Sequence, residues 1–178
     1  METKVNVWKA NLNNGLILGI IGVVFTLLLY FLDLLLNKSL TYILLPINLI
    51  ILYFMLKSYR DNFLNGYMTY GQSVGAGVII FLYSTIISVI FSYILYKFID
   101  PGLIGKILAS TEETLAKKGM AQEQIDAAMT MTKKLMTPGF MTISGLIAGM
   151  FFGTIISLIM SIFTKKEGNP LVDLPENQ

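Results

Sequence analysis

Residues 16–36 read LILGIIGVVFTLLLYFLDLLL, and sixteen of these 21 residues are Leu, Ile, Val or Phe. Coiled as a helix at about 1.5 Å per residue, the run is about 31 Å long, which matches the hydrocarbon core of a bilayer. Each such side chain favours insertion by about 0.3–0.6 kcal/mol at the helix centre, so together they outweigh the roughly 2.5–3.5 kcal/mol that a central Asp opposes. Asp33 lies near one end, where the penalty is smaller still. A cleaved signal peptide fits less well, because the run is longer than an h-region and no small-x-small site follows it. The first segment therefore predicts a retained transmembrane helix.

The whole chain agrees with that stretch. Of 178 residues, 54% are hydrophobic and 13% charged, and the mean hydropathy is +0.68, a composition that excludes a soluble globule. The 13 basic and 11 acidic residues leave a formal charge of only +2, too small and dispersed for a nucleic-acid binder. Cys and His are both absent, which removes disulfides, thiolate or imidazole metal sites, and Cys- or His-based catalysis.

Further along, Leu40–Leu56 forms a 17-residue apolar run, the lower limit for a span. Pro46 falls inside it and predicts a kink or local unwinding beside Asn48; a re-entrant hairpin with the first segment is the alternative. Lys57, Arg60 and Asp61 mark a water-facing edge, and Asn62–Ser73 predicts an interfacial loop or short hairpin around Asn65-Gly66. The third span is expected over 74–96. Asp100-Pro101 reads as a helix cap opening an amphipathic hairpin over 101–136. Its first arm places Ile104, Ile107, Leu108 and Leu115 on a face expected to lie on the membrane interface or cap the bundle. Its second repeats the pattern through Ile125, Ala128, Met129, Thr132 and Met136, with a stop at Gly119 between them. Glu113 and Lys117 are spaced as an i,i+4 pair. Thr137-Pro138-Gly139 ends the hairpin, 140–163 is the fourth span, and 167–178 is expected to be a disordered tail.

Four spans place both termini on one side. Lys4, Lys9, Lys57, Arg60, Lys165 and Lys166 would share that side, against Lys38, Lys97, Lys106, Lys117, Lys118, Lys133 and Lys134 on the other. The near balance leaves the lysine flank of the first helix to decide, and it places both termini in the cytoplasm.

The fourth span carries Gly145, Gly149, Gly153, Ser157 and Ser161 at strict four-residue spacing. Such a stripe permits close backbone approach, which replaces the missing hydrophobic drive between helices in lipid. Contact within the chain is the ordinary use of such a stripe; a homo-oligomer or a membrane-protein partner is the other. Ser84, Ser88 and Ser92 form a smaller stripe expected to face it, and Gly15, Gly19 and Gly22 extend the pattern weakly into the first helix. Asp33, Asn48 and Gln72 are the strongly polar side chains near membrane depth and the candidates for a polar solute site. For Asp33 the simpler expectation is contact with headgroups or with Lys38.

Catalytic chemistry has little to work with. A Ser161/Lys165 dyad is most simply the small-residue stripe meeting a basic flank, and Glu112, Glu113, Glu123 and Asp126 fit a solvated hairpin face better than a cation site. No metal site, cofactor or nucleotide loop is expected. Together Tyr59-Arg60-Asp61, Asn65-Gly66-Tyr67, Tyr70-Gly71, Phe98-Ile99-Asp100-Pro101 and a Met-rich hairpin ending before Pro138 resemble the bacterial membrane-protein family designated domain of unknown function 4199. The resemblance covers most of the chain and implies a four-span protein of a bacterial inner membrane, with no catalytic or binding residues to carry over.

The expectation is thus an all-α membrane protein, a single domain of four transmembrane helices with an amphipathic hairpin between the third and fourth. Its predicted function is non-enzymatic, a structural or partner-binding role through helix–helix association in the lipid bilayer. The alternative is a small-solute transporter or channel subunit that uses a broken second helix.

Overall fold

The computed structural model describes residues 5–168, apart from the side chains of Lys38, Ser39, Thr41 and Leu44. The helices are α1 (Val7–Phe31), α2 (Lys38–Phe63), α3 (Tyr70–Ile94, continued by a π-helical turn Leu95–Ile99), α4 (Leu103–Lys117), α5 (Gln122–Leu135) and α6 (Pro138–Thr164). Among the described residues the only β pairing is an isolated antiparallel bridge between Met68 and Lys166. The tail beyond Gly168 lies outside them.

Helix starts follow local chemistry. The Asn6 side chain accepts from the N–H groups of Trp8 (3.0 Å) and Lys9 (3.3 Å), and Thr137 accepts from Phe140 N–H (3.3 Å) with Pro138 as the first residue of α6. Thr69 and Gln72 form a reciprocal capping box on α3. Several boundaries differ from those expected: α1 covers Val7–Phe31 in place of 16–36, and α2 runs on to Phe63 past Leu56. The loop expected over 62–73 shrinks to Leu64–Thr69, because the capping box starts α3 at Tyr70. Asp100-Pro101 does not open α4; the helix begins at Leu103, whose N–H donates to Asp100 O (3.1 Å) in a turn. At Gly119 φ is +76°, the left-handed conformation that lets the chain reverse between α4 and α5.

Helix α3 is the axis of the bundle, with α1 on one side and α6 on the other. Gly15 lies against Ile80 and Tyr83, Gly19 against Ser84 and Ile87, and Gly22 against Ser88, so α1 and α3 run parallel. On the opposite face, Gly145 meets Val89, Gly149 meets Thr85, Gly153 meets Phe81 and Ser157 meets Gly77, so α6 runs antiparallel to α3. Helix α2 returns the chain between α1 and α3. Its second half supplies Leu52, Met55, Leu56 and Tyr59 to a core shared with Leu18, Met68, Ala76, Ile80 and Met160.

Among the described residues, three helices are long and apolar enough to cross a membrane: Val7–Phe31, Tyr70–Ile99 and Pro138–Thr164. The expected fourth, over 40–56, is not among them. It belongs to the 26-residue helix Lys38–Phe63, four of whose side chains lie outside the described residues. Nor does Pro46 break this helix, which is continuous from Lys38 to Phe63, so the unwound backbone that motivated the transport reading is absent. The first half of α2 stands off the bundle, with Tyr42, Ile43, Leu45 and Ile50 exposed. The outward faces of α1, α3 and α6 are largely apolar, with Phe31, Ile143, Ile147 and Phe151 exposed, while the seams between these helices are built around Gly, Ser and Thr. Water would penalise that arrangement, and hydrocarbon accommodates it.

Candidate functional site

The two seams of α3 are the most specific geometry in the molecule. A Cβ added to Gly149 would lie 2.5 Å from Thr85 Cγ2, and one added to Gly153 would lie 2.7 Å from Phe81 Cβ. At Gly77 the same construction meets Ser157 Oγ at 2.6 Å, whereas Gly145 leaves 3.4 Å to Val89 Cγ1. The α6 stripe is therefore tightly filled by α3 at its middle rungs and more loosely at Gly145. Its partner is not the serine stripe that the sequence suggested. Ser84 and Ser88 face Gly19 and Gly22 of α1, and the residues opposite α6 are Gly77, Phe81, Thr85 and Val89. Ser84 and Thr85 are neighbours in sequence, and about 100° of helix rotation sends them to different partners. Ser92 is half-buried near the end of the helix.

One end of the bundle carries a layer of buried polar side chains: Asn11, Ser73, Ser157, Ser161 and Thr164. Ser73 and Thr164 share a hydrogen bond of 2.7 Å, and the Thr164 hydroxyl also donates to Met160 O (3.1 Å). Ser157 donates to Gly153 O (2.7 Å), and the Asn11 amide donates to Val7 O (3.0 Å). Ser161 Oγ is buried without a hydrogen-bond partner, while Lys165 pairs with Glu167 at 3.6 Å. No serine–lysine dyad is formed. Asn11 escaped the sequence reading because the span was started at Leu16; the signal was the charge-free stretch after Lys9, which carries Asn11, Asn13 and Asn14 into the helix.

That end is clasped. Met68 and Lys166 exchange two backbone hydrogen bonds (2.8 and 2.9 Å), and Arg60 Nη1 donates to Thr164 O (3.2 Å) at the C-terminus of α6. Arg60 Nε also pairs with Asp61 at 2.8 Å, and this hydrogen bond holds the Asp61 carboxyl below its ordinary range. A groove of about 1080 Å³ opens beside the clasp, lined by Tyr59, Tyr67, Met68, Gln72 and Lys166 among others. At the opposite end a cavity of about 50 Å³ lies between Tyr30, Asp33, Leu36, Leu103 and Lys106. Neither reaches Asn48.

The three polar candidates do not come together. Asp33 sits beyond the end of α1 in a turn, with φ +54°, and is exposed; its expected partner, the Lys38 side chain, lies outside the described residues. Asn48 is half-exposed on α2. Gln72 caps α3, its Oε1 accepting from Thr69 N–H at 2.8 Å. In the hairpin, Glu113 and Lys117 pair at 2.7 Å, which lowers the Glu113 pKa. No group of three His, Cys, Asp or Glu side chains able to hold a metal is formed among the described residues.

An all-helical chain with three apolar helices of membrane-crossing length and small-residue seams between them is a membrane-embedded helical bundle. More specifically, residues 13–166 match the model of the family described as protein of unknown function DUF4199, and the chain belongs to that family. No curated protein and no solved structure matches it.

Proposed function

We propose that this protein is a non-enzymatic integral membrane protein of four spans that acts through helix–helix association, and that α2 provides the associating surface. The observation that carries this reading is the occupancy of both small-residue seams within the chain. Because α3 covers the stripes of α1 and α6, a partner would need another face. The first half of α2 offers one: Tyr42, Ile43, Leu45 and Ile50 are exposed beside the half-exposed Asn48, and an amide in lipid gains from a hydrogen bond to a neighbouring helix.

The parallel arrangement of α1 and α3 supports α2 as the fourth span. Two consecutive parallel spans require the chain between them to recross the bilayer, and α2, at 26 residues or about 39 Å, reaches that far. We place the protein in a bacterial inner membrane with both termini cytoplasmic, on the lysine flank of α1.

Oxidative cross-linking tests the association. Ile50→Cys is expected to give a cross-linked species in native membranes, either with itself or with another membrane protein, and Asn48→Leu in the same chain should abolish it. Ile147→Cys, on the lipid-facing side of α6, should give none. Absence of cross-linking from Ile50→Cys, or an equal yield from Ile147→Cys, would count against α2 as the associating surface.

A further inference from the structure

Helix α5 has two apolar faces, and the hairpin uses only one. Ile125 and Met129 are 2% and 4% exposed, turned inward as α4 and α5 pack on each other. On the other side Ala127, Met131 and Leu135 follow at four-residue spacing and are exposed, Met131 by 72% and Leu135 by 47%. Two helices packed in water would need only the inner face, so the outer one calls for an apolar neighbour. Its position says which. Leu135 lies three residues before Pro138, where α6 begins, and Phe98, Ile99 and Phe140 are exposed where α3 ends and α6 starts.

Charge is sorted along the same hairpin. Its base, residues 97–106 and 127–137, carries Lys97, Lys106, Lys133 and Lys134, against Asp100 as the only acid. Asp100 is engaged by Lys106 (3.3 Å) and, at 3.4 Å, by the Tyr30 hydroxyl. Asp33 lines the same small cavity as Lys106. Lys134 stands exposed beside the outer apolar face, Lys133 is exposed on the opposite flank of α5, and Lys97 lies over the rings of Tyr93 and Phe98. Glu112, Glu113, Glu123 and Asp126 all lie toward the tip. An exposed apolar stripe flanked by Lys134, on a hairpin base that carries four lysines against one acid at the level where spans leave the bilayer, has the composition of an interfacial lipid-binding surface.

We infer that the base of the α4–α5 hairpin docks on the membrane surface and recognises anionic phospholipid headgroups, with Met131 and Leu135 inserted among the acyl chains and Lys134 on the headgroups. This differs from the expectation for the first arm, whose Ile104, Ile107, Leu108 and Leu115 are half-buried; the membrane-facing stripe is on the second. It does not depend on the role given to α2.

The chain lacks cysteine, so one can be placed at will. Full-length Met131→Cys, labelled with a polarity-sensitive fluorophore, would be reconstituted into vesicles of phosphatidylcholine alone or mixed with phosphatidylglycerol. At this exposed position the change leaves the core untouched, and Lys118→Cys at the tip serves as control. Apolar emission at 131 is expected only with phosphatidylglycerol, reversible by high salt, while the tip probe stays aqueous. Replacing Lys134 by Gln should lower the ratio of docked to free hairpin roughly fivefold, and Lys133→Gln, on the opposite flank, should lower it less. The same emission in both kinds of vesicle, whether aqueous or apolar, would overturn the proposal. So would a probe that is aqueous in all vesicles but shielded in native membranes, which would assign the face to a protein partner.

Discussion

Replacing Gly149 by Ala adds one methyl group at the tightest described rung of the α3–α6 seam. That carbon would stand 2.5 Å from Thr85 Cγ2 and 2.7 Å from Thr85 Oγ1, well inside van der Waals contact. Thr85 is β-branched and buried, so it has little freedom to rotate away. Overpacking of this kind costs about 1–3 kcal/mol, and the better helix propensity of Ala returns about 0.5–1 kcal/mol, leaving a net loss of about 1–2 kcal/mol. One turn earlier, Gly145→Ala meets only Val89 Cγ1 at 3.4 Å, so the propensity gain should dominate and stability should hold or rise. The same substitution on one stripe thus has opposite signs, separated by roughly 2 kcal/mol, or a factor of about 30 in the unfolding equilibrium. Thr85→Ala removes both offending atoms, so Gly149→Ala should add little loss on that background, giving a coupling of about 1–2 kcal/mol in a double-mutant cycle. Equilibrium unfolding in mixed micelles titrated with sodium dodecyl sulfate, followed by far-ultraviolet circular dichroism, reads all four proteins. Equal tolerance of Ala at 145 and 149, with no coupling to Thr85, would refute the register of α6 on α3.

The α1 seam should behave alike: Gly15→Ala collides with Tyr83 Cβ and approaches Ile80 O at 3.0 Å, so it should destabilise in the same titration, whereas Gly22→Ala, 3.7 Å from Ser88 Oγ, should be tolerated. In the buried polar layer Thr164→Val should cost more than Ser73→Ala, by about 1 kcal/mol. Thr164 keeps Met160 O as a partner when Ser73 is lost, but removing Thr164 strands a buried Ser73 hydroxyl; equal losses would argue against the bond. Because the Asp61 pKa is lowered on folding, its small contribution is complete above the unfolded carboxylate range and is lost as pH falls through the folded value. Asp61→Asn should therefore change the unfolding midpoint slightly at neutral pH and not at strongly acidic pH, and a difference that persists in acid would point to a cause other than the Arg60 pair. Impermeant maleimide should label Lys165→Cys but not Lys118→Cys from the cytoplasmic side in inverted membrane vesicles; the reverse pattern would invert the proposed orientation.

The one-dimensional pattern by itself determined that this chain belongs in a membrane, where some helices stop and start, and which side chains share a face. Uncharged runs of about 20 residues have no other stable fate, Thr137-Pro138 and Gly119 act through their immediate backbone, and a four-residue repeat aligns Gly145, Gly149 and Gly153 on any helix. Only the tertiary structure decided which faces meet. Helix α3 carries small residues on two sides, and period alone cannot distinguish Ser84 and Ser88, which serve α1, from Gly77 and Thr85, which serve α6. Pro46 predicts a kink or local unwinding from its missing N–H, and α2 stays helical through it, since proline perturbs a helix locally without dictating where it ends. Gln72 reads in sequence as a polar group near membrane depth, and the start of α3 makes it a cap; Asn11 lies before the expected first span, and the start of α1 at Val7 brings it inside. The clasp between Met68 and Lys166 uses backbone groups alone and leaves no side-chain signature, so nothing but the meeting of two chain segments 98 positions apart could create it.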